Sequence, residues 1–281
     1  MNSIEIRDLT KRVGNFALKD INLTLPEGVV MGFVGENGAG KTTTIKCILD
    51  ILHQNKGTIK IFGESMSREE VHIKEEIGVV FDQLYIPDML KITEIEKIWK
   101  GLYKNWDTDY FYRLLDKLKV PRNKTIKKLS RGMEMKLSIA LALAHHPKLL
   151  ILDEPTSGLD PIIRDDILTL FLDFMQDETH SILFSTHITS DLEKIADYIT
   201  FIHDGRIQFS EEKEWLLEKY SIFKGSEEEF MELPENAVIG TRKYAYGMEA
   251  LVLTEKVNPA FFLEKPKIEE IMMFMMKGEQ S

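Results

Sequence analysis

The chain has 281 residues, of which 43% are hydrophobic and 29% charged, and its formal net charge is −10. This composition is typical of globular proteins, and the length accommodates one large domain and a small one. The apolar runs are far shorter than the roughly 20 residues of a membrane helix, and residues 1–10 have no signal-peptide pattern. A single cysteine, Cys47, excludes a disulfide framework, and the acidic balance argues against a nucleic-acid surface. We therefore expect a cytoplasmic protein without a nucleic-acid partner.

Strand patterns dominate the first part of the chain. Residues 3–9 and 18–25 alternate between apolar and polar side chains, which predicts two half-buried strands. Residues 29–34 form a continuous apolar run, as in a fully buried strand, and residues 43–52 have apolar side chains at helical spacing. A strand and a helix are therefore predicted on either side of residues 35–43.

The segment between this strand and this helix is rich in glycine and ends in Lys-Thr. It fits the template G-x-x-x-x-G-K-[ST] and consists of Gly35, Glu36, Asn37, Gly38, Ala39, Gly40, Lys41, Thr42 and Thr43. Glycines let backbone N–H groups converge on phosphate oxygens, and the helix N-terminus adds the positive end of its dipole. Lys41 supplies a cation for the phosphates, and Thr42 supplies a hydroxyl ligand for Mg²⁺. The segment predicts a nucleotide-phosphate site.

The rest of the chain continues to alternate between strands and helices. Further strands are predicted at residues 58–62, 77–81, 149–152, 181–185 and on both sides of the Asp204-Gly205 turn. Helical periodicity is found within residues 84–128, 136–144 and 162–175. Beyond residue 220, two strands at 237–244 and 248–253 precede a helix at 268–276. His145 and His146 have no partner at metal-ligand spacing, so we expect them on the surface.

Two carboxylates, Asp153 and Glu154, directly follow the apolar strand at residues 149–152. A carboxylate at the end of such a strand can hold Mg²⁺ through water, and the next one can orient or deprotonate an attacking water. A kinase that transfers phosphate to a substrate does not need the second carboxylate. The pair therefore favours nucleotide hydrolysis.

Further motifs lie in a fixed order around this pair: Gln83, Leu129-Ser130-Arg131-Gly132-Met133, Ser157-Gly158-Leu159-Asp160 and Ser185-Thr186-His187. Together they resemble the ATPase subunit of an ATP-binding cassette (ABC) transporter, across roughly residues 1–220. The resemblance implies an α/β fold, a P-loop NTPase ABC ATPase domain with a mixed sheet core, an antiparallel β subdomain and a helical subdomain at about residues 84–145. Residues 221–281 are then expected to form a small α+β C-terminal extension.

The resemblance also implies roles for single residues. Asp153 is expected to bind Mg²⁺ with Thr42 and Gln83, and Glu154 to act as the general base. His187, at the end of a core strand, is expected to contact the γ-phosphate and to position water. Lys41 is expected to be catalytic as well as phosphate-binding. ATP and Mg²⁺ are the cofactors that these residues imply.

The segment Leu129–Met133, called the signature segment below, departs from the LSGGQ pattern of the family. Ser130 and Gly132 retain the hydroxyl and the backbone N–H that contact a γ-phosphate, while Arg131 and Met133 replace glycine and glutamine. Arg131 is strained if its position needs a positive φ, or it supplies an extra cation. In the family the signature segment acts on the ATP of a second subunit, and Asp160 lies in a loop that communicates across the dimer. We therefore expect a homodimer or a heterodimer of ATPase subunits.

The adenine side of the site also departs from the family. Val13 occupies the place of the usual aromatic platform, and Phe16 is close enough to replace it. ATP is still favoured because the phosphate-binding residues are complete.

The resemblance implies a cytoplasmic subunit on the inner face of the membrane that drives a separate transmembrane permease. The short helical insert resembles bacterial exporters of drugs, bacteriocins and antimicrobial peptides. One alternative is a soluble ABC ATPase acting on ribosomes or DNA, although the interval between residues 44 and 128 has no sustained heptads. Another is an ATP-binding regulatory component that hardly turns over, if Arg131 disables the signature segment.

Overall fold

The computed structural model describes residues 1–65, 71–244 and 247–278. Its strands are β1 (Asn2–Val13), β2 (Phe16–Pro26), β3 (Val30–Val34), β4 (Lys56–Ile61), β5 (Glu64–Ser65), β6 (Ile77–Val80), β7 (Leu149–Asp153), β8 (Ser181–Thr186), β9 (Tyr198–His203), β10 (Arg206–Glu212), β11 (Tyr220–Gly225), β12 (Val238–Tyr244), β13 (Gly247–Leu253) and β14 (Leu263–Glu264). Its helices are α1 (Lys41–Ile48), α2 (Val71–Glu75), α3 (Ile92–Leu102), α4 (Thr108–Lys117), α5 (Arg131–Leu143), α6 (Pro161–Phe174), α7 (Thr189–Ile195), α8 (Lys213–Lys219), α9 (Glu227–Met231) and α10 (Ile268–Gly278).

These strands form three sheets. The central sheet is mixed and has the order β10-β9-β3-β8-β7-β6, in which only β10 runs antiparallel to its neighbour. An antiparallel sheet has the order β2-β1-β4-β5, and a second antiparallel sheet near the C-terminus has the order β12-β13-β11-β14. The mixed core and the N-terminal antiparallel sheet confirm the α/β architecture predicted from the sequence.

The central sheet separates two hydrophobic cores. Met31 and Phe33 face a core shared with α1 and with the N-terminal antiparallel sheet. Val30 and Val34, on the opposite face of the same strand, belong to the core that also contains helices α3 to α7. Successive side chains of a strand point to opposite faces, so β3 must be apolar along its whole length. Because β3, β7 and β8 are paired in parallel, their carboxyl ends lie on the same side of the sheet, where polar residues follow.

The helical segment packs by its amphipathic faces. Ile92 and Ile95 of α3 and Phe111 and Leu115 of α4 are fully buried, whereas the opposite faces of these helices are charged. In α5, by contrast, every residue from Met135 to Leu143 is buried, as expected of a helix surrounded by other elements. This burial holds α5 against β6 and so fixes the position of the signature segment at the start of the helix.

The C-terminal sheet packs onto the rest of the molecule. Ile222 of β11, Leu251 of β13 and Phe274 of α10 belong to the same core as the helical segment. Helix α10 approaches β12 so closely that a Cβ on Gly240 would lie 2.5 Å from the carbonyl oxygen of Phe274. Helix α10 also contacts α7, the helix that follows His187.

His145 differs from the expectation that both histidines lie on the surface. Its side chain is only 2% exposed, its Nε2 lies 3.1 Å from the carbonyl oxygen of Ile77, and its ring stacks on Tyr103 at 4.0 Å. His146 is exposed, as expected. The difference arises because α5 ends against β6, so that consecutive side chains point to opposite sides of the chain.

We expect His145 to make the protein sensitive to acid. Burial lowers the pKa of its imidazole, so below about pH 6.5 the unfolded chain binds more protons than the folded one, and stability falls as the pH falls. In His145→Gln, the melting temperature should decrease less between pH 7 and pH 5 than in the wild type. Circular dichroism melting curves measure this, with His146→Gln as the control. Equal pH slopes for His145→Gln and the wild type would contradict the prediction.

Candidate functional site

The glycine-rich loop joins β3 to α1 and can be built only with glycine at particular places. Gly40 has a φ of 118°, and a Cβ there would lie 2.7 Å from Leu18 Cδ2. A Cβ on Gly35 would lie 2.4 Å from the carbonyl oxygen of Ile202. The loop is therefore held tightly between β2 and β9, and its backbone N–H groups stay near the start of α1.

Lys41 lies inside this loop. Its side chain is 5% exposed, and its Nζ donates to the carbonyl oxygens of Gly35, at 2.7 Å, and Glu36, at 3.2 Å. The same Nζ lies 3.2 Å from Oε1 of Glu154. The ammonium group is thus placed where loop carbonyls and a carboxylate meet.

Asp153, the last residue of β7, links the loop helix to the central sheet. Its Oδ2 accepts a hydrogen bond from Thr42 Oγ1 at 2.7 Å, and its Oδ1 accepts one from Ser185 Oγ at 2.9 Å. Burial raises its pKa, and the charges of Glu154 and Asp82 add to this effect, while the two hydrogen bonds oppose it. A cation beside Asp153 would relieve this concentration of negative charge.

Glu154 and His187 form a pair at the carboxyl ends of β7 and β8. His187 Nδ1 donates to Glu154 Oε2 at 2.7 Å, and the backbone N–H of Glu154 donates to the carbonyl oxygen of Ser185 at 3.0 Å. Glu154 has a φ of 53°, an unfavourable conformation for a residue with a side chain. Its other oxygen, Oε1, is buried and makes no hydrogen bond within the described residues, although Lys41 Nζ is near. Oε1 is therefore held only by the ion pair with Lys41, and it can accept a proton once that lysine turns away.

These groups surround a cavity of about 460 Å³, which is within the range of small-molecule sites. Its lining consists of Val13, Phe16, Asn37, Gly38, Gly40, Lys41, Thr42, Thr43, Asp82, Asp153 and Glu154. Gly35, Glu36 and Ala39 shape the loop without lining the cavity. Phe16 and Val13 supply apolar lining, and Lys41, Asp82, Asp153 and Glu154 supply charged lining. The cavity thus combines apolar side chains with a glycine-rich loop and charged groups, as a nucleoside triphosphate requires.

Gln83 is not brought to this cavity. It is exposed and lines a different cavity, next to Tyr85 and Trp99, whereas Asp82 lines the nucleotide cavity. The register shows which residue is equivalent: Val80 pairs with Leu152, so Asp82 stands two residues beyond Val80, as Glu154 stands two residues beyond Leu152. Counting residues beyond each of the two paired strands could have identified Asp82 as a residue of the cavity.

The signature segment begins α5 and is unstrained. Ser130 is the N-cap residue, whose Oγ accepts from the N–H of Met133 at 3.3 Å, and Arg131 is the first helical residue, without a positive φ. The Arg131 guanidinium lies over Gly158, 3.2 Å from where a Cβ would stand. The possibility that Arg131 is strained is therefore excluded.

Ser130, Gly132 and Asp160 do not line the cavity formed by the same chain. Asp160 is the N-cap of α6, and its Oδ1 accepts from the N–H groups of Ile162 and Ile163 at 3.1 and 3.0 Å. Within one chain its side chain stabilises a helix and does not face the nucleotide cavity.

Comparison with known proteins identifies the family. The model for ABC transporters matches residues 18–157. The ABC transporter ATP-binding protein YtrB of Bacillus subtilis (strain 168) is 33% identical over 220 residues, which cover 77% of this chain and 74% of YtrB. The chain belongs to the family of ABC transporter ATP-binding proteins. The bacitracin transport ATP-binding protein BcrA of Bacillus licheniformis is 35% identical over 211 residues, covering 73% of this chain and 68% of BcrA.

A solved structure of the ATP binding subunit of an ABC transporter has the same fold, with a TM-score of 0.68 and 25% identity over 75% of this chain and 90% of that one. The ABC family resemblance and the fold predicted from the motifs are thus confirmed. As an ABC ATPase, the chain binds and hydrolyses ATP. Among the described residues, no helix is both long and apolar enough to cross a membrane.

Proposed function

We propose that the chain is the ATPase subunit of an exporter, which dimerises around two ATP molecules and drives a separate membrane-spanning subunit from the inner face of the membrane. The proposal of ATP hydrolysis rests on the contact between Glu154 and His187 beside the glycine-rich loop. The relative BcrA is described as a bacitracin transport ATP-binding protein, and this supports the proposal of an exporter. No observation favours action on ribosomes or DNA.

The geometry suggests a separate role in hydrolysis for each of Lys41, Glu154 and His187. The γ-phosphate of ATP would take Lys41 Nζ away from Glu154 Oε1, from which it lies 3.2 Å. Glu154 Oε1 would then accept a proton from water, while His187 holds Oε2 at 2.7 Å. The water oxygen forms a bond to the γ-phosphorus, and the electron pair of the breaking P–O bond goes to ADP.

The cavity also fits a magnesium ion bound together with the nucleotide. Thr42, Asp153 and Asp82 offer a hydroxyl and carboxylates, which are the oxygen ligands that Mg²⁺ prefers. The described residues contain no cluster of three or more His, Cys, Asp or Glu that could hold a metal alone, so phosphate oxygens and water would complete the coordination. When bound, the ion would neutralise charge on the phosphates.

We expect Asp82, and not Gln83, to support this ion. Asp82→Ala should weaken Mn²⁺ binding in the presence of a non-hydrolysable ATP analogue about 10-fold, because a carboxylate beside the ion is lost. Electron paramagnetic resonance titration with Mn²⁺ measures the affinity independently of turnover. Gln83→Ala is the matched control and should stay within about twofold of the wild type. A loss in Gln83→Ala without one in Asp82→Ala would refute the assignment.

The membrane subunit is proposed to dock beside the segment that follows Asp82. This surface contains a groove of about 210 Å³, lined in part by Leu84, Tyr85 and Trp99. Tyr85 is 72% exposed, and the nearby Met89 is 76% exposed. Such exposed apolar side chains are typical of interaction sites. Because Asp82 lies in the nucleotide cavity, a partner held here would be sensitive to ATP.

A substitution at this surface should separate docking from hydrolysis. Tyr85→Arg should abolish co-purification with the membrane protein encoded by a neighbouring reading frame, when the two are co-expressed. ATP hydrolysis by the isolated chain should remain unchanged. Phe262→Arg is the control, since Phe262 is similarly exposed, at 75%, but belongs to the C-terminal part. Retained co-purification in Tyr85→Arg would place the membrane contact elsewhere.

A further inference from the structure

A buried hydrogen bond connects the residues that follow Glu154 and His187 along the chain. Thr156 and Asp191 are 0% and 1% exposed, and Thr156 Oγ1 donates to Asp191 Oδ2 at 2.7 Å. Neither side chain lines the nucleotide cavity. Buried carboxylates are rare and costly unless they are paired, so this one needs an explanation.

Asp191 receives only partial compensation for its burial. Its Oδ1 lies 3.9 Å from Nη1 of Arg164, and the Nε of that arginine is buried without a hydrogen-bond partner among the described residues. Burial raises the pKa of Asp191, while the hydrogen bond from Thr156 and the charges of Arg164, Lys194 and His187 oppose the shift. A side chain kept in place at such a cost to stability is typical of a functional region.

The bond joins the two segments that carry the pair. Thr156 follows Glu154 by two residues, and Asp191, on α7, follows His187 by four. On their other sides the two segments start from the neighbouring strands β7 and β8, which are paired in parallel. Each segment is therefore anchored before the pair by the sheet and after the pair by the Thr156–Asp191 bond.

We propose that Asp191 is a positioning residue, which through Thr156 holds Glu154 and His187 at the distance that hydrolysis requires. The proposal rests on the proposed function in that it takes Glu154 and His187 as the hydrolytic pair. Without the bond, α7 could move relative to the segment after β7, and the contact of 2.7 Å between the pair would loosen. Misplacement of a catalytic group by about 1 Å costs up to about 100-fold in rate.

Removing a single hydroxyl tests this proposal. Thr156→Val keeps the shape of the side chain and should lower kcat by about 10- to 100-fold. The KM for ATP should stay within about twofold, because the bond does not touch the glycine-rich loop. Thr156→Ser retains the hydroxyl and should restore kcat. Thr200→Val is the matched control, since Thr200 is also 0% exposed and lies 2.7 Å from its partner Ser210, but on β9.

A spectroscopic measurement on the nucleotide-free protein adds a readout that does not depend on turnover. The imidazole nitrogen resonances of His187, assigned by comparison with His187→Ala, should shift in Thr156→Val and not in Thr200→Val or Thr156→Ser. Asp191→Asn is the second variant, because it removes the charge that faces Arg164 and replaces one of the two carboxylate oxygens by an NH₂ group. Its kcat should fall and its His187 resonances should shift, so it decides the question if Thr156→Val does not fold.

The proposal is overturned if Thr156→Val turns over ATP as fast as Thr200→Val, or if the His187 resonances are unchanged in the variants that fold. Its failure is distinguishable from failure of the proposed function. If Glu154→Gln abolishes hydrolysis while Thr156→Val does not, the pair is catalytic and Asp191 does not position it. If Glu154→Gln remains active, the pair itself is wrongly assigned.

Discussion

Glu154→Gln is expected to reduce phosphate release by about 10²- to 10⁴-fold, because a carboxamide cannot accept the proton of the attacking water. ATP should still bind, and at least as tightly as in the wild type. The substitution keeps the shape of the side chain, removes a negative charge near the γ-phosphate and releases Lys41, which lies 3.2 Å from Glu154 Oε1. Steady-state phosphate release and titration with a fluorescent ATP analogue measure the two effects separately.

Glu76→Gln is the matched control for this substitution. Glu76 also lies 3.2 Å from a lysine, Lys148, but outside the nucleotide cavity. We expect its turnover to be close to that of the wild type. If Glu154→Gln and Glu76→Gln hydrolysed ATP equally fast, the general base would have to be another group. A loss of ATP binding in Glu154→Gln would instead indicate a structural role.

The second large effect is expected from mixing two inactive variants. Ser130 does not line the cavity of its own chain, so its hydroxyl would act on the ATP of a second subunit. Lys41→Ala removes the phosphate cation, and Ser130→Asp retains an N-cap while placing a negative charge against the γ-phosphate. Each variant alone should lose most of its ATPase activity. Because a mixed dimer contains one site with both residues intact, an equimolar mixture should recover up to about a quarter of the wild-type rate.

The control is a mixture of two variants whose substitutions lie in the same cavity. A mixture of Lys41→Ala with Glu154→Gln should not recover activity, because both residues belong to the same cavity and every site of the mixed dimer is then damaged. Phosphate release by the two mixtures, measured at equal total protein, shows whether two copies of the chain complete each other's sites. If neither mixture recovers, copies of this chain do not complete each other's sites, and a related second subunit would be required.

Much of the site could be predicted from the sequence because its residues are close together along the chain. The glycine-rich loop, Lys41 and Thr42 are one continuous segment, and the strand before it is a continuous apolar run. Their geometry follows from local rules: glycine at a φ of 118° for Gly40, and a helix that starts at Lys41. The carboxylates Asp153 and Glu154 were recognisable for the same reason, since the strand before them is equally apolar.

Features that depend on the direction of a side chain were predicted less well. Gln83 is expected at the metal from the sequence, and this stays a prediction, whereas the side chain that lines the nucleotide cavity in this structure is that of Asp82, one residue earlier. A shift of one residue reverses the face on which a side chain lies, and composition does not reveal it. His145 was expected on the surface for a similar reason, because nothing in the sequence shows that α5 ends against β6.

The sequence by itself determined the loop, the order of the motifs and therefore the family, because each motif is a short run whose chemistry depends on immediate neighbours. The tertiary structure alone decided that Asp82 lines the nucleotide cavity and that Thr156 and Asp191 are joined. It also decided that Glu154 Oε1 faces Lys41 while Oε2 is held by His187. These contacts unite residues from different strands and helices. Their distances are set by the pairing of β6, β7 and β8 and by the packing of α7, which no local pattern encodes.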